Sequence, residues 1–155
     1  LLGGALTSDA FHIVAPEPSG QYAAQAICRT LDRSRLNPED VDLICAHGTS
    51  TQANDRTETL ALHTAFGEQA SSLAVTAPKS MTGHLIGAAG TLGSLLCVMA
   101  IREGVIPPTL NYTTPDPECD LDYVPGTARE ASVRYALTNA FGFGGQNAVA
   151  AFGPV

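Results

Sequence analysis

Three stretches of the sequence gather side chains that can bind or move charge. They are Ala46-His47-Gly48-Thr49-Ser50-Thr51, Lys79-Ser80-Met81-Thr82-Gly83-His84, and Asn139-Ala140-Phe141-Gly142-Phe143-Gly144-Gly145-Gln146-Asn147. Each follows a run with strand character, and ligand groups in open α/β sheets collect at strand ends. A neutral imidazole donates one hydrogen bond and accepts another. Two imidazoles converging on one carbonyl would therefore stabilise an enolate oxygen. A histidine at a strand end is also a common hydrogen-bonded structural residue, and residue type alone leaves both roles open. Metal binding finds little support: Cys45-x-His47 is a single pair with no second pair at ligand spacing, so no metal is expected.

Asp55 and Glu58 stand three residues apart, the spacing of a capping box at a helix start. A second use is an ion pair between Glu58 and Lys79 that would hold a cation beside the histidines and tune their protonation. The Phe141 to Gly145 turn is a poor match to a dinucleotide fingerprint, because no helix follows it. Its glycines suit either an oxyanion hole of backbone N–H groups, with phenylalanines closing over an apolar tail, or a plain hairpin with aromatic packing.

The elements that must position these residues alternate between strand and helix patterns, as in an α/β fold. Leu1 to Leu6 reads as a strand. Ser19 is placed to cap a helix running to about Arg35, with Tyr22, Ala23, Ala26, Ile27, Thr30 and Leu31 at helical spacing. Asn37-Pro38-Glu39-Asp40 is a turn, and Val41 to Ala46 a mostly buried strand. Asp55 to Phe66 reads as a second helix ended by Gly67, and Ser72 to Thr76 as a short strand. Gly87 to Arg102 reads as a helix buried on all sides. Its uncharged stretch, Leu85 to Ile101, reaches the lower edge of what spans a bilayer, but its small residues favour a packed soluble core over a membrane. Prolines 107, 108, 115, 117 and 125 mark an irregular connection with one short strand near Leu121–Val124. Arg134 to Asn139 and Asn147 to Phe152 alternate like two final strands. The order βαβαβαββ predicts one mixed sheet with helices on its faces.

Composition narrows the function. Eight basic residues against fifteen acidic ones give a net charge of −7, which argues against a nucleic-acid module. Apolar residues at 45% with 15% charged exclude a disordered chain. Cys28, Cys45, Cys97 and Cys119 show no regular spacing and read as buried thiols of a reduced, cytoplasmic protein. The chain opens on Leu1 with no basic segment before it, so no signal peptide is expected. It opens on a strand already under way, as a piece of something longer would.

Taken in order, several segments closely resemble the β-ketoacyl-acyl-carrier-protein synthases of the KAS II type. They are His47 to Thr51, Lys79 to Gly90, Ile106-Pro107-Pro108-Thr109, Asp116 to Pro125, and Phe141 to Asn147. The resemblance runs over essentially the whole chain. It implies a thiolase-like fold in which two similar halves stack into a five-layered αβαβα architecture, with this chain as the C-terminal half, residues 1–155. It also implies decarboxylative Claisen condensation of an acyl thioester with malonyl-acyl carrier protein, as in fatty acid elongation. By the same resemblance His47 and His84 match the family's catalytic histidines and Lys79 its lysine. Glu58 and Asp55 fall on acidic positions that steady the site, and Phe143 on the gating phenylalanine of the oxyanion hole. Thr49 and Thr51 match threonines that bind the phosphopantetheine arm, and Phe141, Gly142 and Gly144 belong to the substrate-binding turn. The substrates ride on that arm and no other cofactor is implied.

The implied partners are the N-terminal half with its nucleophilic cysteine, acyl carrier protein, and a second subunit in a homodimer or ketosynthase heterodimer. None of the four cysteines sits in a nucleophile setting, so the chain alone is expected to be inactive. Val14-Ala15 stands where relatives often have Thr-Ser, which removes one hydrogen bond to the carrier arm. Asn54-Asp55-Arg56 replaces the Gly-Asp usual in fatty-acid enzymes and is similar to ketosynthase subunits of bacterial type II polyketide systems. Two alternatives stay open: such a ketosynthase, or a non-catalytic partner like a chain-length factor. Retention of both histidines and Lys79 speaks against the latter. Thiolase or another thioester-condensing enzyme fits the Lys79 to His84 segment poorly.

Overall fold

The alternation of side chains along the strands decides on which face of the sheet each helix lies. The computed structural model describes residues 1–154. Its strands are β1 (Gly3–Ser8), β2 (Leu43–Cys45), β3 (Ala74–Thr76), β4 (Val105–Ile106), β5 (Arg129–Glu130), β6 (Ala136–Gly142) and β7 (Gln146–Phe152). The helices are α1 (Gln21–Ser34), α2 (Gln52–Phe66), α3 (Lys79–Thr82) and α4 (Ala89–Glu103). Five strands form one sheet in the order β1-β7-β6-β2-β3. β7 runs antiparallel to both of its neighbours, β1 and β6, and β6, β2 and β3 run parallel.

Successive strand residues face opposite sides. Ile44 and Leu137 therefore meet Val75, Val149 and Ala151 in one core, closed by Ile27 and Leu31 of α1 and Leu62 and Phe66 of α2. Leu43, Cys45, Ala74, Ala136 and Phe152 face the other way, onto Cys97 and Ala100 of α4. The predicted mixed sheet with helices on both faces is thus present, with the main elements in the predicted order.

Several boundaries differ from expectation, each for a tertiary reason. Ser19 is not the cap of α1: Gly20 holds that position with φ 69° and makes no side-chain cap bond. A side chain there would collide with the Thr57 carbonyl, 2.7 Å from an added Cβ, because α1 packs tightly on α2. Helix α2 begins at Gln52, not Asp55, since the Thr51 hydroxyl accepts the Asn54 N–H and starts the helix a turn earlier. That rules out Asp55–Glu58 as a capping box. No strand forms at Leu121–Val124; Asp122 makes a lone bridge to Ala74. The sequence also gave no sign of the two-residue ladder of β4 and β5 or of the short α3.

The largest correction concerns α4, which is not buried on all sides. Gly93, Cys97 and Ala100 are buried against the sheet, whereas Leu95 and Val98 are 54% and 44% exposed. The outer face of this helix is apolar and open.

Candidate active site

Register brings the predicted segments together. Cys45 of β2 pairs with Thr76 of β3 on one side and Thr138 of β6 on the other. Two residues beyond that level come His47, Pro78 and Ala140, so the parallel strands deliver three loops to one edge of the sheet. Gly48 lets the first loop turn there: its φ is 45°, and an added Cβ would lie 2.8 Å from that of Ala77.

The two imidazoles meet at this edge. The rings of His47 and His84 stand 5.6 Å apart, nearly perpendicular at 81°, and Phe141 lies 5.7 Å from His47. Hydrogen bonding fixes both tautomers. The Lys79 ammonium donates to the His47 carbonyl and, at 3.4 Å, to its Nδ1. An ammonium can only donate, so Nδ1 is bare and the ring proton sits on Nε2. His84 Nδ1 accepts the Ile86 N–H at 3.0 Å, which leaves that ring's proton on Nε2 as well. Ile86 adopts φ 49° at this turn, a strained conformation for a β-branched residue. Both rings thus present Nε2–H donors.

Their environments differ. His47 is buried and His84 exposed. Burial, then the charge of Lys79, then His84, drive the His47 pKa down to about 3. His47 is therefore neutral at physiological pH. Burial also lowers the Lys79 pKa, against the upward pull of the Glu58 charge.

The direct Glu58–Lys79 ion pair expected from the sequence does not form. Glu58 accepts the N–H groups of His47 and Gly48, each at 2.9 Å, while Lys79 takes the His47 carbonyl. Carboxylate and ammonium thus grip opposite ends of the same residue. Burial raises the Glu58 pKa, and the hydrogen bonds from Gly48, Asn139 and His47 oppose it. Asp55 is half-buried with its carboxyl likewise raised by burial, and it accepts a bond from Asn54 Nδ2 at 3.0 Å.

The remaining predicted residues fall into two places. The Thr49 and Thr51 hydroxyls pair at 2.9 Å and line a cavity of about 540 Å³ with Asp55, Lys79, Tyr112 and Tyr123. Phe141 and Gly142 end β6, whereas Phe143 is 78% exposed at the apex of the hairpin. The Gly144 N–H donates to the Ile13 carbonyl at 2.8 Å, so this turn leans on the segment following β1. Sequence reasoning assigned no role to Asn54 and Asn139, which both bond Glu58. For Asn139 the one available signal was an amide beside Thr138 in the buried part of β6.

The four cysteines are buried or half-buried. Cys45 and Cys97 touch inside the core; the hydrogen bond with Cys97 draws the Cys45 thiol down, whereas that same bond, then burial, push the Cys97 thiol up. Burial likewise raises Cys28 and Cys119.

The geometry has counterparts among known proteins. The family described as the β-ketoacyl synthase C-terminal domain matches residues 1–113. The 3-oxoacyl-[acyl-carrier-protein] synthase 2 of Synechocystis is 54% identical over 98% of this chain and 36% of its own length. Nodulation protein E of Rhizobium meliloti is 52% identical over 97% of the chain and 37% of its own. The chain therefore spans little more than a third of the curated relatives it matches. Among solved structures, the ishigamide ketosynthase/chain length factor superposes with a TM-score of 0.95 at 42% identity, covering 100% of this chain and 38% of that one. A type II PKS ketosynthase in complex with its acyl-carrier protein gives 0.97 at 35% identity, with coverage of 100% and 38%. The fold is that of these thiolase-like ketosynthases. A matching domain profile, relatives of more than half identity, and ketosynthase structures superposing along the entire chain lead to one conclusion: the chain belongs to the β-ketoacyl synthase family, in its C-terminal domain.

Proposed function

We propose that this chain is the C-terminal half of a 3-oxoacyl-[acyl-carrier-protein] synthase, a condensing acyltransferase that joins an acyl thioester to malonyl-acyl carrier protein with loss of carbon dioxide. The observation that carries this reading is the pair of Nε2–H donors, 5.6 Å apart between ring centres, at one sheet edge. Breaking the bond from the malonyl carboxylate to the α-carbon releases carbon dioxide and leaves its electron pair in an enolate. Two donors at the thioester oxygen stabilise that charge as it forms. The enolate carbon then attacks the acyl thioester on a cysteine of the N-terminal half and displaces the thiolate.

In this reading His47 and His84 bind the forming oxyanion, while Lys79 and Glu58 hold His47 in place. Phe143 gates the acyl site, and Phe141, Gly142 and Gly144 shape the turn beside it. Thr49 and Thr51 bind the phosphopantetheine arm of the carrier protein, and Asp55 supports the first turns of α2. The partners are the N-terminal half, acyl carrier protein and a second ketosynthase subunit, in a cytoplasmic assembly. Fatty acid elongation is the favoured pathway, given relatives named 3-oxoacyl-[acyl-carrier-protein] synthase 2. The Asn54-Asp55-Arg56 segment and the neighbouring type II PKS ketosynthase favour polyketide synthesis as the second reading.

The test is to co-express the chain with the N-terminal half and follow carbon dioxide release from malonyl-acyl carrier protein. Turnover about 10²–10³-fold lower in both His47→Ala and His84→Ala is expected. A folded complex with no decarboxylation would overturn the proposal.

A further inference from the structure

Each oxygen of the buried Glu58 carboxylate accepts one backbone N–H and one side-chain amide. Oε1 takes His47 N at 2.9 Å and Asn139 Nδ2 at 3.0 Å. Oε2 takes Gly48 N at 2.9 Å and Asn54 Nδ2 at 3.3 Å. Asn139 is 3% exposed and lies on β6, immediately before the glycine-rich turn. Asn54 lies in the first turn of α2 and shares its amide with Asp55.

The other end of Asn139 is informative. Its Oδ1 is buried and finds no hydrogen-bond partner among the described residues. An orphaned buried acceptor is destabilising, and an apolar side chain of similar volume would avoid that cost. An amide chosen for packing alone would be a poor choice here. Its NH₂ group, aimed at Glu58, is the part the position uses.

We propose that Asn139, assisted by Asn54, is a positioning residue that keeps Glu58 an anion and thereby fixes the His47–Gly48 backbone against which Lys79 and the His47 ring are set. Around Glu58 stand Asp55 on α2, Lys79 on α3, His47 after β2, Cys45 on β2, and Tyr123 in the proline-rich connection. Lys79 is the cation among them, and its ammonium is directed at the His47 carbonyl. Burial, and to a lesser degree Asp55, work against the anion, so the amides and backbone N–H groups hold it.

The kinetic consequence rests on the proposed condensation; the titration of Glu58 does not. The test compares parent, Asn139→Ala and Asn54→Ala proteins, each co-expressed with the N-terminal half, by carbon-13 NMR of labelled glutamate across pH. Losing a donor to a charged group is expected to move the Glu58 midpoint up by about one to two pH units in Asn139→Ala. A smaller rise is expected in Asn54→Ala, whose bond is longer and shared. The acid limb of malonyl-thioester decarboxylation should rise in step, with kcat about tenfold lower on that limb and recovered above the new midpoint, and KM nearly unchanged. A folded Asn139→Ala protein with an unmoved Glu58 titration overturns the proposal, whatever its activity. A parent without decarboxylation overturns the condensation reading instead, while the NMR midpoint still decides this one. Should Asn139→Ala not fold, Asn54→Ala decides alone: an upward shift supports the proposal and an unmoved curve overturns it.

Discussion

An imidazole can donate to a forming oxyanion only if its proton sits on the nitrogen that faces it, and here two different neighbours impose that tautomer. Lys79 occupies Nδ1 of His47 and the Ile86 N–H occupies Nδ1 of His84. Removing one oxyanion donor typically lowers kcat about 10²–10³-fold, so under the proposed function His47→Ala and His84→Ala, each co-expressed with the N-terminal half, should show a loss of that size in carbon dioxide release. Neutrality also leaves a mark on stability. The His47 pKa falls from 6.5 to about 3 on folding, so between these values the unfolded chain binds a proton that the folded one refuses. Stability from this residue is complete above pH 6.5 and declines as pH falls toward 3. Urea unfolding of the parent should lose about 2 kcal/mol more than His47→Gln between pH 7 and pH 5, at about 1.4 kcal/mol per unit below the unfolded value. Equal losses in the two proteins would contradict the buried neutral imidazole. His47 and His84 stood out in the sequence because glycine and threonine flank them, and Lys79 because it opens the same short segment as His84. The amide of Asn139 did not, since its bond to Glu58 spans 81 residues and leaves no local pattern.

Elements hold these residues through close approaches that local sequence signals do not reveal. Strand periodicity gave the sheet, because Ile44 and Leu137 must face one core while Leu43 and Ala136 face the other. Helix starts depended on contacts between distant segments: Gly20 takes the cap position of α1 because the Thr57 carbonyl leaves no room for a side chain. Gly93 is the equivalent constraint on α4. A Cβ there would run into the Thr138 hydroxyl of β6 and lie 3.5 Å from Cys45 Sγ. Gly93→Ala must displace either the Thr138 side chain or α4 itself, although alanine favours the helix by about 0.8–1.0 kcal/mol. Overpacking of this kind costs about 1–3 kcal/mol, so the variant should unfold at lower urea than the parent. A more stable Gly93→Ala protein would mean that helix propensity, not the close packing against Thr138, governs this position.

At the scale of the whole molecule the open face of α4 has to be explained. Apolar residues recur on both sides of this helix, so the sequence predicted burial all round, and one side did find the sheet. Leu95 and Val98 on the other side remain exposed, as do Leu85 and Ile86 in the segment before the helix, the latter 77% accessible. Exposed apolar surface of this kind marks an interaction site. A chain covering 36% of a relative's length has an evident candidate to cover it, the N-terminal half invoked by the proposed function. Burial of a leucine or valine side chain contributes about 1.5–3 kcal/mol, so two such residues weigh heavily in an association. Lysine at either site stays soluble when the face is open but cannot be desolvated without a partner charge. Leu95→Lys combined with Val98→Lys should therefore leave the circular dichroism spectrum of the chain unchanged while abolishing co-purification with the N-terminal half. Retained co-purification would place the joint between the halves elsewhere and leave the apolar face of α4 for a different partner.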